Sequence, residues 1–392
     1  MKRAIEYDII IIGAGPAGAT CALQLRHSGL RILLIDKATF PRDKICGDAI
    51  VGRSIKTLFS CCPEMANDFR QFLGKARTTN TRLNINGKKP FDIHWVNEAY
   101  CCKRVDFDNY LINAVRQYAS NVTILEDFAV DWIEKSLNED KKGEYSLITV
   151  GNKARQQFFK AEIVVGSDGA HSIVNKKMTE TKLSHEHHVG AVRTYFKGVK
   201  GLDINRTEVF ILPDFSPGYF WIFPLSNDTA NVGFGMLTAK ISEKKINLRN
   251  AVLDFIKHSP TLKTRFDGSE QLSKIEGFGL PLGSRRVPMS GDNFLLTGDA
   301  ASLIDPSSGD GISNAIVSGK VAGEIIVEAF KLNDFTAFFL KKYDDAVYKI
   351  IGKELRQSTI LLRLTSKMPF VIDIAAWFMG HPFFNRLGKK FL

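Results

Sequence analysis

The chain lacks a long hydrophobic run: its 392 residues contain no stretch approaching the ~18 continuous apolar residues of a membrane-spanning helix. It also lacks metal-site cysteine spacing. The six cysteines, Cys21, Cys46, Cys61, Cys62, Cys101 and Cys102, include two adjacent pairs but no CxxC, so no zinc site or other metal is expected. No secretory leader is read either, because the apolar run behind Lys2 and Arg3 stops at Gly13. Reduced thiols in a cytosolic protein are the expectation. The net charge of +11 comes without a dense Lys/Arg run or a nucleic-acid module, which places nucleic acid last among partners. Such a charge serves solubility, a phosphate-rich cofactor or an acidic lipid surface. Apolar content of 44% and charged content of 24% are those of a globular protein, and the length suits two interleaved domains.

What the sequence does contain begins at its front. Residues 7–12 read as a short buried parallel strand, running into Gly13-Ala-Gly15-Pro16-Ala17-Gly18 and then a helical stretch over 19–27. A second apolar strand over 31–35 ends on Asp36, with Lys37 beside it. Strand, GxGxxG, helix, strand and acid are the parts of a dinucleotide-binding unit. Gly13 permits the tight turn, Gly15 lets backbone approach a pyrophosphate, and Gly18 lets helix pack on sheet. The helix N-terminus offers N–H donors to phosphate, and Asp36 would accept from a ribose hydroxyl. The unit alone leaves NAD and FAD both open.

Two later stretches resemble elements of the flavoprotein hydroxylases. Residues 161–172, with Gly166-Ser-Asp168-Gly169, are similar to their strand-turn DG element, and residues 293–301, with Gly298-Asp299, to their GD element. The resemblance implies FAD, with Asp299 at its ribityl chain. Beyond it, the loop Pro306-Ser-Ser-Gly309-Asp-Gly311 opens a helix at Ile312, whose positive end would favour negative charge on a reduced flavin. Pro281 interrupts the glycine-rich 277–283 stretch, so no second dinucleotide unit is read. Electrons would then come from NAD(P)H docking transiently or from a redox protein.

A narrower resemblance follows. Phe40-Pro41-Arg42-Asp43-Lys44-Ile45-Cys46-Gly47 resembles the PRxKxCG stretch of the geranylgeranyl reductase family, and Tyr219, Trp221, Phe223 and Pro224 match its YxWxFP motif. Asn231-Val-Gly-Phe-Gly, residues 304–311 and Ser318-Gly319 continue the likeness, which runs from Ile5 to about Glu324; Asp310 departs from the usual Glu. The resemblance implies hydride transfer from reduced flavin to an isoprenoid C=C, with Tyr219, Trp221 and Phe223 lining the substrate pocket. It also implies Cys46 beside the flavin as a proton donor or gate, and Arg42, Gly47 and Arg104 among the cofactor contacts. The local charges of Arg42 and Lys44 are expected to favour the Cys46 thiolate. The bland alternatives are core aromatics and a cysteine that is merely a small buried hydrophobe. Flavin-dependent halogenases carry WxWxIP at the same positions and need a lysine, for which Lys75 is a candidate. An aromatic hydroxylase, an electron-transfer flavoprotein to quinone and a non-catalytic flavin module are further alternatives.

The expected fold is α/β: a Rossmann-like FAD-binding domain, an inserted mixed or antiparallel β-sheet substrate domain and a C-terminal helical tail. Residues 1–80, 100–180 and 281–330 are assigned to the first, 81–99 and 181–280 to the second, and 331–392 to the third. Strands are expected over 82–95 and 191–276, a charged hairpin turn over 138–143, and Asp106 as a helix cap. The tail from Met368 mixes apolar and aromatic residues with a basic end. It reads equally as a packed helix and as an interfacial segment on an anionic membrane surface, the second partner expected besides an isoprenoid lipid.

Overall fold

The computed structural model describes residues 4–85, 88–137 and 146–368. The tail over 369–392 and the 138–143 turn therefore lie outside the described residues, although the strands flanking that turn, Trp132–Leu137 and Ser146–Asn152, pair antiparallel.

The short isoleucine- and valine-rich runs form the centre of the first sheet. Ile9–Ile12, Ile32–Ile35 and Ile163–Gly166 are buried at every position, as parallel strands covered on both faces must be. The six-stranded order is Ser290–Gly291, Phe294–Leu296, Ile163–Gly166, Ile9–Ile12, Ile32–Ile35 and Val122–Leu125, parallel except at its first pair. Helix Pro16–Gln24 leaves the first strand through Pro16, whose fixed φ suits a first helical turn. Helix Ile312–Leu332 packs along it.

The second sheet has nine strands. Its order is Glu270–Gln271, His188–Lys197, Thr229–Leu237, Gly218–Leu225, Arg206–Ile211, Lys75–Ile85, Phe91–Cys102 and Ala49–Ile50, with Glu276–Pro281 also paired to His188–Lys197. Arg206–Ile211 runs parallel to Lys75–Ile85 and the other pairs are antiparallel, so the sheet is mixed. The fold is thus the expected α/β arrangement. A four-stranded sheet, Ile5–Glu6, Gln157–Ala161, Ser146–Asn152 and Trp132–Leu137, lies beside the first.

Two local expectations are corrected. The 191–276 stretch is interrupted by helices Thr238–Lys244, Leu248–His258 and Pro260–Phe266. Asn247 and Ser259 cap the last two by accepting backbone N–H groups, and Leu248, Ala251, Val252 and Phe255 recur at helical spacing, a period masked by the flanking strand-like alternation. Asp106 sits inside the first turn of Arg104–Tyr118 instead of capping it.

Side-chain alternation divides the Gly218–Leu225 strand. Phe220 and Ile222 enter a core with Phe210, Phe234, Val252 and Phe266, while Tyr219, Trp221 and Phe223 share the opposite face. Phe220 is fully buried, edge-on to both Phe210 and Phe255. Phe220→Ala is expected to lower stability by about 3–5 kcal/mol, read as a shifted denaturation midpoint with unchanged m-value.

Candidate active site

The turn after the first strand is built on contacts that exclude side chains. Gly13 has φ +100°, and a Cβ there would lie 2.3 Å from the Ser167 carbonyl oxygen, so this turn demands glycine. Gly15 is less crowded, a built Cβ there making only ordinary contact with Arg42 Nη2 at 3.6 Å. No side chain caps the helix that Pro16, Ala17 and Gly18 begin. Asp36 accepts the Ala14 N–H at 2.8 Å and the Ala38 N–H at 2.9 Å, one on each oxygen, leaving each a second lone pair. Lys37 is exposed.

Asp168 lies against this turn, its Cα 2.9 Å from the Cβ position of Gly13. Its Oδ2 accepts the Ile173 N–H at 2.6 Å, while Oδ1 is buried without a partner. Burial raises its pKa. Gly169 follows in a left-handed conformation, as do Gly298 and Gly309. Lys44 reaches Asp299 at 2.9 Å, which ties the 40–48 loop to the 298–301 turn; Gly311, just before helix Ile312–Leu332, lies against the same carboxylate, 3.3 Å from its built Cβ. Asp310, shorter than the family's usual Glu, still accepts the Ser313 N–H at 3.0 Å, and burial lifts its pKa to about 6.

Arg42 and Arg104 converge on Asp108. Arg104 holds both carboxylate oxygens at 2.6 Å, and Arg42 adds a bond at 2.8 Å. Burial would raise the Asp108 carboxyl, but the two guanidiniums outweigh it and hold its pKa low. The Cys46 expectation is corrected here. Arg42 and Lys44 are engaged by carboxylates, and burial, only partly offset by Arg104, raises the thiol's pKa. The protonated form is favoured.

The aromatic row meets this loop. Across the sheet, Tyr219 pairs with Gly235, Trp221 with Gly233 and Phe223 with Asn231. A Cβ on Gly233 would stand 2.2 Å from Trp221 Cζ2, so the missing side chain is what lets the indole lie over its partner strand. Ring centroids are 5.9 Å apart from Tyr219 to Trp221 and 6.1 Å from Trp221 to Phe223. The Tyr219 hydroxyl donates to the Ser308 carbonyl. Gly47 packs on Phe223, 3.4 Å from its built Cβ.

A buried network stands behind the row. Trp221 Nε1 donates to Asn231 Oδ1 at 2.8 Å, and Asn231 Nδ2 donates to the Cys46 carbonyl and to Asp48 Oδ2, each at 2.8 Å. The Tyr195 hydroxyl donates to the same Asp48 oxygen at 2.9 Å, and Arg193 lies over the Tyr195 ring at 4.4 Å while pairing with Asp43. Sequence reasoning assigned no role to Asn231, Asp48, Asp108, Tyr195 or Arg193. Only Asn231 carried a signal, a polar residue opening a glycine-rich apolar strand.

The halogenase candidate Lys75 is directed elsewhere. Its ammonium donates to the carbonyls of Arg70 and Phe72 and lies 5.0 Å over the Phe69 ring.

The FAD-binding domain family matches residues 6–331. The chain belongs to that family. It is 29% identical over 376 residues to a digeranylgeranylglycerophospholipid reductase of Methanococcus aeolicus, covering 92% of this chain and 88% of that protein. Among solved structures, a geranylgeranyl bacteriochlorophyll reductase-like protein from Thermoplasma acidophilum superposes with a TM-score of 0.78 at 23% identity, covering 92% and 88% of the two chains. A flavin-dependent brominase gives 0.75 at 22% identity, covering 96% and 90%. The site chemistry fits FAD. The uncrowded Gly15 and the uncapped helix end suit a pyrophosphate, the spare lone pairs of Asp36 suit a ribose, and the orphaned Asp168 Oδ1 awaits a donor.

Asp48 provides a pH test. Burial, resisted by bonds from Asn231 and Tyr195, lifts its pKa from 3.8 to about 6. The fold therefore keeps a proton that the unfolded chain has already released, so stability falls as pH rises from about 4 to about 6 and stays lower above. The loss is on the order of 2–3 kcal/mol. Asp48→Asn should remove this component from denaturation midpoints measured between pH 4 and 7; an unaltered slope would show that Asp48 is ionised throughout.

Proposed function

We propose that this FAD protein saturates carbon–carbon double bonds of a prenyl or polyprenyl lipid or quinone. The observation that carries the reading is the hydrogen-bonded path from Trp221 through Asn231 to the Cys46 carbonyl. It fixes an apolar aromatic wall against a loop that Lys44 ties to Asp299. FAD, once reduced, would supply a hydride when bound. The chain's own residues do the rest. An isolated alkene offers no oxygen to polarise, so rate depends on positioning, which the flat faces of Tyr219, Trp221 and Phe223 provide. Those faces also favour the electron deficiency that develops at a branched carbon. The Cys46 thiol, kept protonated by burial, holds a proton for the neighbouring carbon. The archaeal relative's name adds a glycerophospholipid bearing geranylgeranyl chains as the substrate class. Electrons reach the flavin by transient NAD(P)H docking or from a redox protein.

The halogenase reading is weaker, because Lys75 is bonded to helix-end carbonyls. In an anaerobic experiment, reduced protein should be reoxidised by geranylgeranyl compounds, giving products heavier by pairs of hydrogens. Trp221→Ala should slow that reoxidation about tenfold or more while FAD stays bound. Reduced protein that ignores every prenyl compound yet consumes oxygen and halide would overturn the reading. Loss of FAD from the variant would make Trp221 structural.

A further inference from the structure

A groove of about 250 Å³ lies between the 283–286 segment and helix Ala337–Lys367. Four arginines line it, Arg285, Arg286, Arg356 and Arg363, with Thr359 and Ile360 between them and no acidic residue in the lining. Like charges gathered in one concavity cost free energy unless an anion joins them. Two of the four have structural employment: Arg285 donates to the Lys182 carbonyl, and Arg286 lies 4.4 Å over the Tyr348 ring. The guanidiniums of Arg356 and Arg363 form no ion pair or hydrogen bond among the described residues. Two of these charges, Arg285 and Arg363, also act on His187, on the adjoining segment. Burial and then the nearby Arg285 lower its pKa, Arg363 adds to the effect, and Glu186 only partly opposes them.

The same helix face is apolar where water would be expected. Arg356, Ile360 and Arg363 stand four and three positions apart, on one stripe. On and beside that stripe Ile360 and Leu364 are 54% and 39% exposed. Uncompensated arginines next to exposed aliphatics suit the boundary between lipid headgroups and acyl chains, where both kinds of group are satisfied. A free phosphate would satisfy only the arginines.

We infer that this groove binds the phosphate of an anionic phospholipid headgroup at a membrane surface. Its place in the fold gives the contact a use, which rests on the reductase reading above. The other side of the helix touches the active-site loop, Ser358 bonding Ser307 at 3.0 Å, next to the Ser308 carbonyl that receives Tyr219. The groove and the aromatic row thus lie on two sides of one helix, and a chain from a headgroup in the groove would have to pass round it.

The test uses full-length, FAD-loaded protein floated with vesicles rich in phosphatidylglycerol or made of phosphatidylcholine alone. Arg356→Gln/Arg363→Gln is compared with Arg70→Gln/Arg249→Gln, which removes the same charge from exposed arginines outside the groove. The groove pair should weaken partition onto phosphatidylglycerol about tenfold or more, and the control pair less than about twofold, with FAD content and melting temperature unchanged in both. Equal losses in the two pairs would reduce the effect to net charge and overturn the site, as would unaltered binding by the groove pair. Displacement by millimolar inorganic phosphate at constant ionic strength would make it a free-phosphate site and overturn the lipid assignment. Reoxidation of reduced wild-type protein by phosphate-free geranylgeraniol reports on the reductase reading alone, so either idea can fail without the other.

Discussion

One buried carboxamide joins the second sheet to the 40–48 loop. Asn231 accepts from the Trp221 indole and donates to the Cys46 backbone and to Asp48, and it has no exposure to water. In a low-dielectric interior each of these bonds is stronger than in water, and each unmade one is correspondingly expensive. An amide has one accepting and one donating end, so the arrangement admits a single orientation. Trp221 cannot rotate away without orphaning Asn231 Oδ1, and the Cys46 loop cannot lift without orphaning Nδ2. The position of the aromatic row relative to the cofactor loop is thus set by hydrogen-bond satisfaction, with the open backbone at Gly233 supplying the space.

Electrostatics fixes the other side of the same loop. Asp108 is fully buried, and two guanidiniums on one carboxylate compensate its desolvation. Pairs of this kind add little net stability, yet removal of one partner leaves a buried charge unpaired. Here the pair immobilises Arg42 and so fixes the loop in which Cys46 sits. Burial of the Cys46 thiol, only partly offset by Arg104, is what raises its pKa there.

Legibility from sequence followed the range of the interactions. The GxGxxG turn, the buried strands and Asp36 were readable because each is specified within a few residues by backbone geometry or by period. The facing of Tyr219, Trp221 and Phe223 was readable from alternation in the same way. Asn231, Asp48 and Tyr195 were not, because their roles depend on contacts 147 to 185 positions apart in the chain. Asp48 also adopts a left-handed conformation that nothing in its neighbours announces. The three helices within 238–266 were hidden by the strand pattern around them, and their Asn247 and Ser259 caps were the signal that outweighs it.

Helix Ala337–Lys367 stands outside the stretch shared with the FAD-binding family, which ends at residue 331. It nevertheless bonds to Ser216, just before the aromatic strand, through the Thr365 carbonyl, and to Ser307 through Ser358. Both contacts flank Tyr219. Because Phe339, Leu340, Tyr343 and Val347 of the same helix are buried in the core of the first sheet, and Tyr343 donates to the Leu296 carbonyl at 2.7 Å, a change in that core is transmitted along one rigid rod to the strand that bears Tyr219.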